Sequence, residues 1–328
     1  MNLLVCLKKG DTMKYSLDMI EPIVAKNLCG INNSNIKILE EMLECNIDFH
    51  GNAILSDATF EKEEKLIAII NLLKDMAEMG VNITSRDIVY AESVIDNGLC
   101  DKFLNFLRNR KPIGYSNTGK PVYAKTLKQN YYVDALNKKD LIFSVGSAGT
   151  GKTYLAVVYG IAQLKKGNVE KIILTRPAVE AGESLGFLPG DLKEKVDPYL
   201  RPLYDALYDM LGVEQTNALI EKNVIEIAPL AYMRGRTLEN AFIILDEAQN
   251  ATIDQLKMFL TRLGFNSKMI ITGDISQVDL PNSKKSGLKP VANLLKGLSE
   301  VSVVEFEKYD VVRHPLVAKI IEKFEHLS

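Results

Sequence analysis

The residue pattern most able to do chemistry is a glycine-rich run at positions 146–153. Glycines in such a run let backbone N–H groups turn inward around phosphate oxygens, and a helix that begins at its end presents a positive dipole to the same anion. Lys152 is then placed to reach the β and γ phosphates of a nucleotide, and Thr153 to bind Mg²⁺. The run predicts a phosphate-binding loop (P-loop) made of Gly146, Ser147, Ala148, Gly149, Thr150, Gly151, Lys152 and Thr153.

Two adjacent acids end a second apolar run at residues 242–245. Asp246 is predicted to hold Mg²⁺, and Glu247 is predicted to orient the attacking water and to take its proton, in line with the γ phosphate. Paired acids at the end of a strand are common when they occur alone. Together with the upstream P-loop, they predict a site that binds and hydrolyses ATP.

Polar residues follow two further apolar runs and are candidates to complete this site. Gln277 comes shortly after the run at 270–274, where it is predicted to sense the γ phosphate or to position water. An ordinary turn is the alternative there, because turns also favour Gly and Asp. Arg176 follows the run at 172–175 in a comparable position. Three other arginines are candidates to stabilise transition-state charge, although an arginine taken alone is more often a surface residue: Arg234, Arg236 and Arg313.

The elements that must position these residues begin near residue 140. Continuous apolar strands separated by helices are typical of a parallel sheet covered on both faces, an α/β fold. The P-loop follows the first such strand and precedes a helix-compatible run, which favours a nucleotide loop over an ordinary glycine turn. Five strand-like runs alternate with helical stretches, at residues 141–145, 171–174, 224–227, 241–245 and 268–271.

A smaller α+β module is predicted at residues 30–97. It contains a helical pattern at 34–45, a hairpin at 46–56 and a charged amphipathic helix at 61–79, and Thr84 is predicted to cap one more helix. The chain is therefore predicted to divide into an N-terminal extension, this module, a basic hairpin or linker, and a P-loop ATPase domain. The respective residues are 1–29, 30–97, 98–128 and 129–328.

Charge is distributed unevenly along the chain, although the formal net charge is only −2. Residues 1–100 hold 9 Lys/Arg against 16 Asp/Glu, which is −7, so the remainder, with 31 against 26, is +5. Within residues 101–130, basic residues outnumber a single acid, Asp101, and alternate with phenylalanines and tyrosines. This combination suits a polyanion such as nucleic acid, and it is equally compatible with a solvated linker surface.

The composition is that of a soluble globular protein. No run approaches the ~20 apolar residues that span a bilayer, and the first residues lack the layout of a signal peptide. We therefore expect a cytoplasmic protein without a membrane partner. The four cysteines are widely spaced and contain no CxxC pair, which favours isolated thiols over a zinc site or a disulfide framework. Met13 is an alternative start to Met1, because the residues before it match neither predicted domain.

The sequence resembles the bacterial PhoH family of ATPases in several runs that extend over most of residues 129–325. They include Leu245-Asp246-Glu247-Ala248-Gln249-Asn250, Gly273-Asp274 with Gln277, and the runs at 175–183, 185–191, 197–202, 234–237 and 310–316. The resemblance implies a P-loop domain similar to the RecA-like core of superfamily-one helicases. It also implies that the N-terminal module is similar to KH-like RNA-binding domains.

By the same resemblance, Gln129 corresponds to the adenine-reading glutamine of helicases, and Arg313 to an arginine finger in a ring-like homo-oligomer. The family implies ATP as substrate, Mg²⁺ as cofactor, and RNA and an endoribonuclease as partners. The predicted function is that of a helicase-like ATPase in RNA metabolism. Two alternatives remain open: a nucleotide-dependent scaffold for an RNA-processing endoribonuclease, and a small-molecule phosphotransferase.

Overall fold

The computed structural model describes residues 5–9, 12–16, 21–50, 53–177, 192–281, 285–307, 310–311, 317, 320 and 323. Two compact units divide the chain, one formed by residues 1–110 and 309–328 and the other by residues 111–308. The boundary after residue 110 falls inside the predicted hairpin or linker at 98–128. In the described part of the chain, no helix is long and apolar enough to cross a membrane.

The first unit combines a small antiparallel sheet with helices. Its strand order is β1-β2-β4-β3, so the predicted hairpin, β3 and β4, is one half of a four-stranded sheet. The sequence predicts only an extension before residue 30, whereas β2 pairs both with the adjacent β1 and with β4, about 40 residues further along the chain. The elements are β1 (Val5–Lys9), β2 (Thr12–Ser16), α1 (Pro22–Cys29), α2 (Ser34–Leu43), β3 (Ile47–His50), β4 (Ala53–Ser56), α3 (Phe60–Glu78), α4 (Ser85–Asp96) and α5 (Cys100–Asn109).

The core of the first unit is centred on α3, one of the helices that the sequence predicts. Its apolar residues recur every three or four positions, the spacing of one helix face, and the buried ones include Leu66, Ile69, Leu73 and Met76. Tyr90 of α4 packs edge-on against Phe103 of α5, with ring centroids 5.2 Å apart. Asp87 accepts a hydrogen bond from the Thr84 N–H at 2.8 Å, which confirms the predicted start of α4.

The second unit is built on a parallel sheet. Six strands lie in the order β12-β7-β11-β10-β8-β9, and every neighbouring pair among them is parallel. A two-stranded hairpin, β5–β6, precedes the sheet. The elements are β5 (Gly114–Tyr115), β6 (Pro121–Val122), α6 (Leu127–Lys138), β7 (Leu141–Gly146), α7 (Lys152–Lys165), β8 (Lys171–Arg176), α8 (Leu192–Leu211), α9 (Val213–Glu221), β9 (Ile225–Pro229), β10 (Ala241–Leu245), α10 (Ile253–Leu260), β11 (Lys268–Gly273), α11 (Leu288–Leu295) and β12 (Val301–Phe306).

Both faces of this sheet are buried beneath helices. On one face, Phe143, Ile243 and Ile271 pack with α10 and α11 residues such as Leu256 and Leu288 in a single core cluster. On the other face, α7 contacts β8, β10 and β11 and is apolar nearly all round, as expected for a helix with buried neighbours on several sides. The strand order and the covered sheet confirm the predicted RecA-like P-loop NTPase fold.

All five strands predicted for this sheet are present, and the sixth, β12, was not predicted. Its residues include Ser302 and Glu305, and only two of its six residues are buried, because β12 is an edge strand that pairs only with β7 among the described strands. An edge strand with partial exposure lacks the continuous apolar run that marks a strand buried on both faces.

Gly160 of α7 packs tightly against the sheet, and this contact gives the first prediction. A Cβ placed on Gly160 would lie 2.5 Å from Cδ1 of Phe242 on β10. We expect Gly160→Ala to lower the free energy of unfolding by about 1–3 kcal/mol through overpacking, although alanine is the better helix former. Urea denaturation of the two proteins measures this difference.

The matched control is Phe242→Leu, which shortens the side chain on the other side of the contact. If the contact is the cause, the double variant loses less stability than the two single losses added together. Gly160→Ala with wild-type stability would contradict the packing of α7 described above.

Candidate functional site

The P-loop joins the end of β7 to the start of α7. The backbone φ values of Gly146, Gly149 and Gly151 are 145°, 86° and 84°, which residues other than glycine rarely adopt. Gly146 is restricted in a second way, because a Cβ there would collide with the backbone carbonyl of Phe306 on β12. The loop therefore bends back on itself, and Thr150 Oγ1 braces it by donating to Ser147 O at 2.9 Å.

The predicted phosphate-binding lysine lies over this loop. Lys152 Nζ donates to the carbonyl oxygens of Gly146 at 2.7 Å and Ser147 at 2.8 Å, and the residue is only 7% exposed. The ammonium group is therefore held at the start of α7, where the positive end of the helix dipole also favours an anion. A phosphate that enters the loop replaces neutral carbonyl partners of Lys152 with charged ones.

The start of α7 is also fixed from outside the loop. Tyr154 OH donates to Asp209 Oδ2 on α8 at 2.6 Å. Burial and this carboxylate raise the pKa of the Tyr154 phenol, so the hydroxyl stays protonated even at alkaline pH. The same bond helps to hold Thr153, the preceding residue, at the carboxyl ends of the central strands.

Thr153 and Asp246 meet beside the P-loop. Thr153 Oγ1 donates to Asp246 Oδ1 at 2.6 Å, and Thr272 Oγ1 of β11 donates to the same oxygen at 2.7 Å. Hard oxygen donors of this kind fit Mg²⁺, which takes one or two carboxylates together with substrate phosphates. The described residues contain no cluster of three or more His, Cys, Asp or Glu side chains that would form an all-protein metal cage. Thr153 and Asp246 supply two oxygens of this kind, and water or nucleotide phosphate would complete the coordination of an ion held there.

Glu247 turns away from the line of β10. Its φ of 54° lies in the left-handed region, a conformation that a non-glycine residue adopts at some energetic cost. Its carboxylate has two partners: Oε1 lies 2.9 Å from Arg176 Nη2 at the end of β8, and Oε2 accepts from Gln249 Nε2 at 2.5 Å. The carboxylate is about one-third exposed, so solvent reaches it despite these contacts.

Gln249 extends this contact back to the P-loop. Its other amide atom, Oε1, accepts from Asp274 N–H at 2.9 Å, and Asp274 Oδ2 accepts from Ala148 N–H of the P-loop at 2.8 Å. Gln249 is 1% exposed, so both ends of its amide are engaged within the protein. A continuous chain of hydrogen bonds thus connects Glu247 with the P-loop.

The other predicted residues have different positions. Gln129 Nε2 donates to Thr150 O of the P-loop at 3.0 Å, and its Oε1 accepts from Lys125 N–H at 2.7 Å. Gln277 is exposed on the loop after β11, where its backbone N–H donates to Asp274 O at 3.1 Å. Arg313 lies outside the described residues.

Two residues of this cluster were not predicted as site residues. Thr272 and Gln249 are buried at strand ends and contact the two predicted acids. The sequence offers only a weak signal for them, since Thr272 ends an apolar run and Gln249 follows Glu247 by two positions. Their roles follow from the register of β10 and β11, in which Leu245 pairs with Ile271.

This combination of fold and loop defines a P-loop NTPase. The family model described as PhoH-like protein matches residues 121–325, and the chain belongs to this PhoH-like family. A PhoH-like protein of Bacillus subtilis (strain 168) is 52% identical over 304 residues, covering 93% of this chain and 95% of that protein. A PhoH-like protein of Synechocystis sp. is 44% identical over 310 residues, covering 94% of each chain.

Two more distant likenesses cover less of the chain. Protein PhoH of Escherichia coli (strain K12) is 45% identical over 206 residues, which is 62% of this chain and 58% of that protein. A solved structure of a Sulfolobus solfataricus SWI2/SNF2 ATPase core with double-stranded DNA is 16% identical and covers 56% of this chain and 44% of its own. Its TM-score of 0.33 is too low to support a conclusion.

The close contact of Gly146, the first residue of the P-loop, with β12 yields a second prediction. We expect Gly146→Ala to lower the free energy of unfolding by about 2–4 kcal/mol, because strain at positive φ adds to the collision with Phe306. Gly119→Ala is the matched control, since Gly119 also has a positive φ of 78° but nothing lies within 4 Å of its added Cβ. It should lose only about 1 kcal/mol. Equal losses in urea denaturation would contradict the contact with β12.

Proposed function

We propose that the protein binds ATP with Mg²⁺ and hydrolyses it, and that it acts in RNA metabolism as a helicase-like ATPase. The observation that supports this proposal most is the 2.6 Å contact between Thr153 Oγ1 and Asp246 Oδ1, next to the P-loop and to Glu247. A hydroxyl and a buried carboxylate placed together at a P-loop provide the oxygen ligands of a nucleotide-bound Mg²⁺.

Binding would use the P-loop and the residues around it. The backbone amides of residues 146–153 and the Lys152 ammonium would hold the phosphates, and Thr153 and Asp246 would hold Mg²⁺. The ion, when bound, neutralises negative charge that builds up on the phosphates. Gln129 is proposed to read the adenine edge by exchanging the bonds of its side-chain amide to Thr150 O and Lys125 N–H for bonds to the base.

Hydrolysis would use Glu247 as the base. Glu247 would orient a water and take a proton from it, while the water oxygen bonds to the γ phosphorus and the bond to the ADP oxygen breaks. A carboxylate that takes a proton loses its attraction for Arg176, so Arg176 would become available to the charge on the phosphoryl group. Gln277 and Arg313 are further proposed to sense the γ phosphate, Arg313 from a neighbouring subunit of a ring-like homo-oligomer.

The RNA part of the proposal has separate support. Within the segment 101–130, the part in the second unit has three exposed cations, Lys111, Lys120 and Lys125, and an exposed ring, Tyr115, which suit a polyanion, whereas Phe103 is buried in the core of the first unit. Family resemblance connects the chain with helicase-type ATPases. Two alternatives predict either a different reaction product or a cellular activity that does not require hydrolysis. A phosphotransferase would form a phosphorylated metabolite instead of free phosphate, and a scaffold for an endoribonuclease would retain its cellular activity without hydrolysis.

The role of Glu247 can be tested with Glu247→Gln, which keeps the size of the side chain and removes its ability to accept a proton. We expect free-phosphate release to fall at least about 100-fold, while ATP affinity stays within a few-fold of wild type. Glu239→Gln, at an exposed position in the same unit, is the control and should leave both quantities unchanged. Phosphate release by Glu247→Gln at the wild-type rate would exclude Glu247 as the base.

Coupling to RNA can be tested on the wild-type protein. We expect single-stranded RNA to raise the rate of phosphate release at low salt and to lose this effect as salt is added, because phosphate contacts weaken with ionic strength. The measurement is phosphate release with and without RNA over a salt series. A rate that RNA leaves unchanged even at low salt would contradict RNA coupling without affecting the ATPase assignment.

A further inference from the structure

The turn that follows β9 exposes an aromatic ring and a cation two residues apart. In this turn, residues 230–236, Tyr232 is 50% exposed and Arg234 is exposed, whereas Leu230 and Met233 are at most 2% exposed. Leu230–Met233 is a short 3₁₀ helix, and its two buried side chains anchor it to the core. The anchoring directs Tyr232 toward solvent instead of leaving it on a loose loop.

The far end of the same turn is held by charged contacts. Arg236 forms a bidentate pair with Glu226 of β9, Nη1 to Oε1 at 2.5 Å and Nη2 to Oε2 at 2.7 Å. Arg262 Nη1 donates to the Arg236 carbonyl at 3.1 Å. A residue pair presented on a turn that is held at both ends loses little conformational freedom when it binds a ligand. Arg236, one of the predicted candidate cations, is thus engaged within the fold.

Unlike Arg236, the side chains of Tyr232 and Arg234 are not engaged within the described part of the fold. Within the described ranges, neither the Tyr232 hydroxyl nor the Arg234 guanidinium has a hydrogen-bond or ion-pair partner. Small residues, Ala231 and Gly235, flank them and leave space for a flat group to approach. A ring that stacks on a base, beside an arginine that binds a phosphate, is the combination used to bind single-stranded nucleic acid.

The position of the turn connects it with the proposed catalytic base. Pro229, the last residue of β9, pairs in register with Arg176, the last residue of β8. Arg176 in turn lies 2.9 Å from Glu247. One strand pairing and one ion pair therefore separate the start of the turn from the carboxylate that would activate water.

We propose that Tyr232 and Arg234 form a contact site for single-stranded RNA, in which one base stacks on Tyr232 and one phosphate binds Arg234. RNA bound there acts on hydrolysis through the β9 end and Arg176. This inference rests on the proposed RNA-coupled ATPase function and assigns part of its RNA surface. Phosphate binding alone would also suit a free anion, but the exposed ring beside the cation favours a nucleotide chain.

The experiment compares Tyr232→Ala, Tyr232→Phe and Arg234→Ala with wild type in binding a fluorescent oligouridine, followed by anisotropy over a salt series. Tyr232→Ala should bind about tenfold more weakly, and Tyr232→Phe, which keeps the ring, should bind like wild type. Arg234→Ala should bind more weakly and with a smaller dependence of affinity on salt, by about the slope of one phosphate contact. Unfolding midpoints should be unchanged, because both side chains are exposed.

Phosphate release separates this inference from the proposed function. In Tyr232→Ala, release without RNA should equal wild type, while its stimulation by RNA should be reduced. If Tyr232→Ala binds RNA and responds to it like wild type, the contact site is wrong and the RNA-coupled ATPase stands. If wild type neither binds RNA nor responds to it, the proposed RNA coupling fails together with the site. A DNA oligonucleotide of the corresponding sequence, used as competitor, tests whether the site prefers RNA to DNA. Tighter binding of DNA than RNA would overturn the RNA assignment.

Discussion

The carboxylate of Asp246 is the constraint on which the rest of the site depends. It lies at the end of a strand whose five residues are all fully buried, so a charge at this point requires partners from neighbouring elements. Thr153 and Thr272 supply them from α7 and β11 through a single carboxylate oxygen. The parallel register of β10 with β11 places the Thr272 hydroxyl beside the carboxylate, and the P-loop places the Thr153 hydroxyl there. A shift in that register would leave a buried carboxylate unpaired, so the fold and the site stabilise each other.

A second consequence concerns Glu247, whose contacts would have to change in the proposed hydrolysis. Arg176 and Gln249 both engage its carboxylate, and Gln249 also connects to Asp274, which accepts the Ala148 amide of the P-loop. An anion in the P-loop competes with Asp274 for that amide and repels its carboxylate at short range. A shift of the Asp274 backbone would act directly on Gln249, because the Asp274 N–H donates to Gln249 Oε1. The site therefore contains a physical route by which an occupied P-loop alters the surroundings of Glu247.

The fold of the second unit was largely predictable from sequence, whereas parts of the site were not. Strands such as β7 and β10 are buried on both faces and appear as continuous apolar runs, and the P-loop spacing has a direct physical meaning. The strand β12 was missed because its residues are partly exposed. The strand β2 was missed although it pairs with β1, because its other partner, β4, lies about 40 residues further along the chain. Gln249 and Thr272 were also missed, because their contacts depend on register and on the left-handed turn at Glu247, neither of which leaves a local pattern. Arg234 and Arg236 were equivalent candidates by sequence, and only the pairing of Arg236 with Glu226 separates them.

The strand order also gives the two proposed ligands different routes to Glu247. Gln129 contacts the P-loop on the β7 side of the sheet, whereas the turn carrying Tyr232 follows β9 at the opposite edge. Glu247 follows β10, which lies between these strands, two strands from β9 and thus about 10 Å from it at the usual strand spacing. A nucleotide and an RNA strand could therefore both act on Glu247 without competing for space. Arg176, at the end of the strand between β10 and β9, is the residue through which the two routes would meet.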